Sequence, residues 1–286
     1  MKHILSLLTC AVLSITMVNA QQLGNSTLWK ISGNGLEKPS YLFGTIHITC
    51  DASLDDDIKK ALDETTQLVL ELDMDDPSMQ ANLMKDVYMK DGKTLKDFVS
   101  EEDFSAIDSL FINQAGMSVK MIQNMKPFFL TSMLYPKMID CPMQSFELEL
   151  MKVSKEQNEE VYGLETVEEQ MKVFDDIPYE DQVADLIRMA KDNLEYDKET
   201  FADLLEVYKS EDINAMLDMM DDENNKTTAK HQDVLLKNRN INWIPKIEEF
   251  AKQESTFFGV GAGHLAGNNG VIKLLRKAGF TVEAIL

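Results

Sequence analysis

Hydrophobic positions along this chain change period twice. Residues 28–31 and 40–43 are short apolar runs separated by Gly33, Gly35 and Pro39, the punctuation of a hairpin. Residues 55–65 follow, with Ile58, Ala61 and Leu62 at helical spacing, and residues 67–72 form a compact strand around Leu68-Val69-Leu70. From about residue 77 to residue 156 the period is helical, interrupted at Gly92, Gly116, Pro127, Pro136 and Pro142. Residues 160–164 read as a strand, and helices resume from Thr166 to about Lys252 with a polar break over residues 221–225. The pattern then returns to an apolar strand at 256–260, a short helix at 269–277 ended by Gly279, and a last strand at 280–285. The ends predict an α/β (α+β) fold. Its central mixed sheet is formed by the N- and C-terminal units, and a large helical insertion over about residues 77–252 separates them.

The two ends repeat one plan. Tyr41-Leu42-Phe43 leads into Gly44-Thr45-Ile46-His47, a helix and a strand; Phe257-Phe258-Gly259-Val260 leads into Gly261-Ala262-Gly263-His264, a helix and a strand. In open α/β sheets, loops at the carboxyl ends of parallel strands form the binding crevice. A glycine there lets the backbone bend and approach a ligand. A histidine there can hold a metal or move a proton near neutral pH. A parallel crossover returns both carboxyl ends to one edge, so His47 meets Glu71 at the end of the 67–72 strand. Asp73 shares the Glu71 face by two-residue alternation. If the second unit lies in the same sheet, His264 joins them. Two imidazoles and one carboxylate suit a divalent metal with an open position. They equally suit a metal-free acid/base pair. A lone Gly-x-x-His is more simply a histidine that caps a turn or packs locally; two copies at equivalent places, with an acid at a strand end, favour function.

The leader changes the compartment expected. Lys2, an apolar run over residues 4–18, and Val18-Asn19-Ala20 before Gln21-Gln22 read as a secretory signal peptide over residues 1–20. A lipoprotein reading through Leu7-Leu8-Thr9-Cys10 would cut the apolar run in half. The expectation is an exported protein, periplasmic or secreted, with residues 21–286 as a single domain and no later stretch apolar for long enough to span a bilayer. The mature chain would hold 286 − 20 = 266 residues and a formal charge of −21 − 1 = −22. Such a charge repels phosphate backbones and excludes nucleic acid as an expected partner. It accommodates a cation or a basic substrate, although solubility alone explains it. Cys50 and Cys141 are permitted a disulfide by export, with two free thiols as the alternative; neither lies in a zinc-finger or CxxC spacing.

Other candidates are less specific. Glu165, in Gly163-Leu164-Glu165-Thr166, divides between site and surface. Thr166 with Glu169 reads as a capping box, which makes Glu169 structural. Arg239 could bind a carboxylate bidentately or orient Glu71, but on the sequence alone it reads as an exposed helix arginine. His231 reads as a surface histidine. The methionines number 18, and Met117, Met121 and Met125 have i, i+4, i+8 spacing. Core filling is the simpler account; an adaptable groove for peptides or a flat cofactor is the functional one. No phosphate loop, GxSxG elbow or HExxH helix is present.

At these residues the sequence resembles the TraB/GumN family, related to the Tiki proteases and more distantly to the erythromycin esterase and ChaN proteins. The resemblance rests on residues 41–47, Leu70-Glu71-Leu72-Asp73, Gly163-Leu164-Glu165-Thr166 with Glu169-Gln170, Arg239-Asn240 with Trp243, and residues 259–265, in the family's order. It implies a sheet that brings the two Gly-x-x-His motifs face to face, with metal-binding or catalytic roles on His47, Glu71 and His264. It raises Arg239 and Glu165 as supporting catalytic residues. Tiki-like members imply a protease using manganese or cobalt, with zinc as a further candidate. The esterase type implies hydrolysis without a clear metal need, ChaN-like members imply haem, and TraB-like members imply damping of a peptide signal. The leading expectation is therefore an exported metal-dependent hydrolase, a peptidase, acting on a peptide or small-molecule substrate. The alternative is a protein that binds haem, iron or a peptide without catalysis.

Overall fold

Six strands form one mixed sheet: β1 (Leu28–Gly33), β2 (Ser40–Thr45), β3 (Gln67–Leu72), β4 (Val161–Glu165), β5 (Thr256–Gly261) and β6 (Phe280–Ala284). Their order is β4-β3-β5-β2-β1-β6. The computed structural model describes residues 23–286, and the leader expected over residues 1–20 lies outside the described residues. Strand β5 pairs in parallel with β2 on one side and β3 on the other, and β4 adds in parallel beyond β3. Strand β1 runs antiparallel to both β2 and β6. The expected hairpin is thus β1–β2, and the C-terminal unit does enter the N-terminal sheet, in its middle. One strand, β4, comes from within the stretch otherwise read as helical.

The strand sequences explain this order. All of β2 is buried, as is β5 apart from its last residue, which fits parallel strands covered on both faces. Strand β6 alternates buried and exposed positions, as a strand covered on one face does. The helix Asp56–Asp63 starts where the Asp55 side chain accepts from the Ile58 amide at 2.8 Å, and it buries the predicted stripe of Ile58, Ala61 and Leu62.

The helical stretch has a core of its own, around Phe104, Ile107, Phe111, Leu130, Leu134 and Leu186. Two expectations are corrected there. The helix Glu101–Ala115 stops at Gly116, whose φ of 72° is left-handed. Met117, Met121 and Met125 therefore share no helical face, and Met121 is 75% exposed. His231 is not a bare surface histidine: it is largely buried and its Nε2 meets Asp181 Oδ2 at 2.9 Å. Cys50 and Cys141 are joined in a disulfide. No helix among the described residues is long and apolar enough to cross a membrane.

Candidate active site

Because β2, β3, β4 and β5 are parallel, their carboxyl ends share one edge, and each delivers a polar group there. His47 follows β2, Glu71 lies in β3, Glu165 ends β4 and His264 follows β5. A cavity of about 440 Å³ opens between this edge and the helical layer, lined by Thr45, His47, Glu71, Gly261 and His264 at the sheet edge and by Arg239 from the helix Asn238–Gln253.

The first glycine of each motif has a steric reason. A Cβ on Gly44 would lie 2.6 Å from Leu265 Cδ1 and 3.1 Å from Ala262 Cα, so a side chain there would push the two motif loops apart. A Cβ on Gly261 would lie 3.3 Å from Glu71 Oε1, 3.6 Å from His264 Cδ2 and 3.8 Å from His47 Nε2. Gly261 is the floor around which both histidines and Glu71 gather. The Tyr208 hydroxyl donates to the Gly44 carbonyl at 2.7 Å and holds the first motif from the helical side.

Arg239 is the centre of the charge network. It lies just beyond the π-helical turn Asp233–Lys237, and its Nη1 donates to the Leu235 carbonyl of that turn at 3.2 Å. Its Nη2 donates to Glu71 Oε2 at 2.6 Å and to Glu165 Oε2 at 2.9 Å, while Nε donates to Glu165 Oε1 at 3.0 Å. Trp243 Nε1 donates to the same Glu165 oxygen at 2.9 Å. Glu71 Oε1 accepts from the Gly261 amide at 2.8 Å. Burial would raise the Glu71 pKa, but the Arg239 charge outweighs it and holds the carboxyl well below its usual range. Arg239 is raised in turn: burial opposes its charge, and Glu71 and Glu165 more than compensate.

The two histidines are held alike and charged differently. His264 Nδ1 donates to Asn240 Oδ1 at 2.6 Å, and Arg239 Nη1 donates to His264 Nε2 at 3.1 Å, an assignment in which the ring is neutral. Burial, reinforced by the Arg239 charge, lowers its pKa to about 3. His47 Nδ1 donates to Glu147 Oε1 at 2.8 Å, leaving Nε2 at the cavity. Its pocket pulls the pKa down, but the Glu147 hydrogen bond and charge prevail and raise it to about 9. Burial raises Glu147, yet the bonds from His47, Ser145 and Thr45 bring it down to about 2.

Glu147 is the residue that sequence reasoning missed. It opens the helix Phe146–Gln157, far from both motifs in the chain, and as one of 49 acidic residues it carries no spacing signal. The other expected residues are brought together, with one distinction. Glu165 stands behind Arg239 and does not line the cavity. It is a positioning residue for the guanidinium. The Thr166–Glu169 capping box forms as read.

The ion pair makes a pH prediction. A depressed Glu147 stabilises the fold above its unfolded value of 4.5, and that contribution disappears as pH falls through about 2. A raised His47 stabilises the fold below 6.5, and that contribution disappears as pH rises through about 9. The stability difference between the metal-free protein and Glu147→Gln should therefore be largest between these two unfolded values and shrink on both sides. Thermal melts of the pair from acid to alkaline pH measure it, and a pH-independent difference would remove the ion pair.

The chain matches the model of the TraB/PrgY/gumN family over residues 27–284. It belongs to that family. Among curated proteins it is 23% identical to Metalloprotease TIKI2 of Xenopus tropicalis over 317 residues, covering 91% of this chain and 60% of that protein. It is 21% identical to Metalloprotease TIKI2 of Danio rerio over 325 residues, covering 91% of this chain and 61% of that protein. The chain thus spans about three-fifths of the length of the curated relatives it matches. No solved structure matches it. Every element of the site lies inside the matched span.

Proposed function

We propose that this TraB/PrgY/gumN family member is an exported hydrolase of peptide bonds that uses a divalent metal held by His47 Nε2, His264 Nε2 and Glu71. The observation that carries the reading is the anchoring of both imidazoles. Each gives its Nδ1 proton to a fixed acceptor, Glu147 or Asn240; His47 then turns Nε2 toward the space over Gly261, while His264 borders that space with Cδ2 and brings Nε2 within 3.7 Å of Glu71 Oε1. That is how metal-ligating histidines are oriented by their outer partners. The names of the TIKI2 relatives support the same class.

The donor types fit a divalent cation. Among the described residues, however, no three His, Cys, Asp or Glu side chains close on one point. Arg239 donates to two of the three candidate donors, His264 Nε2 and Glu71 Oε2. For His47, His264 and Glu71 to hold a cation, the Nη1 bond to His264 would have to be given up, and the Nε and Nη2 bonds to Glu165 would keep the guanidinium nearby. When bound, it supplies Lewis-acid polarisation and a water of lowered pKa. The chain's own residues do the rest. Glu147 fixes the His47 ring, Gly261 keeps the central space open, and Arg239 Nη1, once released, can donate to a developing oxyanion. Met216, Met219, Met220, Phe201 and Leu204 on the helical wall of the cavity offer apolar surface to a peptide's side chains. These are other methionines than the three singled out by spacing.

Purified protein stripped of metal should take up one equivalent of manganese, cobalt or zinc and cleave peptides in a mixture resolved by mass spectrometry. The His47→Ala, His264→Ala double variant should do neither. Peptidase activity retained in that variant would sink the site. Cleavage by metal-free protein would favour a second reading, in which the His47–Glu147 pair moves protons without a metal; the Arg239 bond to His264 Nε2 is the observation on its side. A Soret band on haem titration, lost in His47→Ala, would support the binding alternative.

A further inference from the structure

His47 owes the orientation of its ring to one side-chain partner. Its side chain is 66% exposed, and Glu147 Oε1 is its only side-chain hydrogen-bond partner among the described residues. The placing of Glu147 therefore decides where Nε2 points. Glu147 lies in the first turn of the helix Phe146–Gln157, whose N-cap Ser145 makes no capping bond to the helix backbone. The Ser145 hydroxyl is spent on Glu147 Oε2 instead. Phe146, packed edge-on against Phe43, fixes the body of the helix. The chain that enters it has less support, for residue 140 and residues 142–144 are exposed.

What fastens that entering chain is the loop after His47. Thr49 and Gln144 exchange backbone hydrogen bonds of 3.0 and 2.8 Å. The Gln144 side chain donates to the Cys50 carbonyl at 3.0 Å and accepts from the Ala52 amide at 3.1 Å. Beside this short ladder the Cys50–Cys141 disulfide closes a sequence separation of 91 residues. The disulfide and the ladder thus tie the His47 loop directly to the segment that presents Ser145 and Glu147. Cys50 is exposed and Cys141 half-buried, so a small reductant can reach the bond.

We propose that the Cys50–Cys141 disulfide is a positioning element for the His47–Glu147 pair, and that its reduction releases the His47 ring without unfolding the sheet. The inference uses the hydrolase reading only for its kinetic consequence. A dithiol such as dithiothreitol breaks the S–S bond by two thiol–disulfide exchanges, leaving two protein thiols and a cyclic oxidised dithiol. The ladder between buried Thr49 and exposed Gln144, with the Thr45 hydroxyl that donates to Glu147 Oε1, then holds the two segments without a covalent link.

The test is carbon relaxation of the imidazole Cε1–H groups by NMR, on the full folded protein before and after dithiothreitol, with thiol titration to verify reduction. His47 should pass from an ordered to a mobile ring. His264, held by Asn240 and Arg239, serves as the internal reference and should stay ordered. Far-UV circular dichroism should not change. Under the hydrolase reading, kcat should fall by about 10- to 100-fold at nearly constant KM and return on reoxidation. A Cys50→Ser, Cys141→Ser variant should match the reduced protein, and if it does not fold, chemical reduction of the folded wild type decides. An equally ordered His47 ring with two free thiols overturns the proposal. A loosened ring in a protein without peptidase activity upholds it and counts only against the hydrolase reading.

Discussion

Arg239→Ala should destabilise the protein by about 3–5 kcal/mol, the usual cost of stripping a buried ion network of one partner, and abolish activity. The guanidinium is 11% exposed and serves two carboxylates, Glu71 and Glu165, that are 12% and 6% exposed. Without it both would be left near each other and away from water, with only Trp243, Gln170 and the Gly261 amide as donors. Glu71 then loses the neighbouring charge that holds its carboxyl below the usual range, and its depression reverses. The thermal midpoint should drop on the order of 10 °C. Arg239→Lys should recover little, because one ammonium cannot reproduce the fork that meets Glu71, Glu165 and His264 together. Removing the second charge as well, in Arg239→Ala with Glu165→Gln, should restore part of the loss, and the shortfall from additivity measures the pair. Thermal or denaturant melts of wild type, Arg239→Ala, Arg239→Lys, Glu165→Gln and the double variant check this. An Arg239→Ala variant as stable as wild type would mean that the guanidinium bonds to Glu71 and Glu165 contribute nothing to the fold.

Much of this site could be read from the chain because strand ends are written in it. The 67–72 strand was bounded correctly, so Glu71 fell at the carboxyl end of a buried parallel strand. Each histidine follows an apolar strand and a glycine, and a Cβ would clash with the other motif's loop at the first of those glycines, Gly44, and crowd Glu71 at the second, Gly261. What sequence could not carry was the content of the helical layer. Glu147 reaches His47 through long-range packing, in which the helix Phe146–Gln157 returns to the sheet through Phe146 and Phe43. Nothing in its local pattern marks it. Arg239 looked like a solvated helix residue because its two partners lie on β3 and β4, at separations of 168 and 74 residues. The disulfide likewise depended on where a loop after β2 meets the chain before that helix. The methionine stripe failed for a local reason, since Gly116 in the left-handed region ends the helix before the first of the three. Periodicity located the frame, whereas long-range packing chose the partners within it.

Gly261→Ala should separate stability from catalysis more cleanly than any histidine variant. Gly261 has φ −52° and ψ 134°, a conformation open to alanine, so the backbone incurs no strain and one methyl group is the whole perturbation. That methyl would sit 3.3 Å from Glu71 Oε1, a contact the carboxylate relieves by moving a few tenths of an ångström, and at ordinary packing distance from both rings. The melting temperature should hardly change. The methyl would nevertheless occupy the space that Glu71, His47 and His264 surround, where the proposed hydrolase reading puts its reacting groups. A misplacement of reacting groups by about 1 Å costs about 100-fold in rate, so a shift of a few tenths of an ångström should cost about 10-fold, and a site designed around a cation should lose metal affinity in parallel. The decisive comparison is kcat/KM and metal uptake for Gly261→Ala beside Gly44→Ala. The Gly44 methyl meets Leu265 and Ala262 at 2.6 and 3.1 Å and none of the polar groups, so that variant should lower stability first and activity through it. If Gly261→Ala is stable, loads metal and cleaves peptides at the wild-type rate, the reacting groups do not meet over Gly261 and the chemistry belongs elsewhere in the cavity.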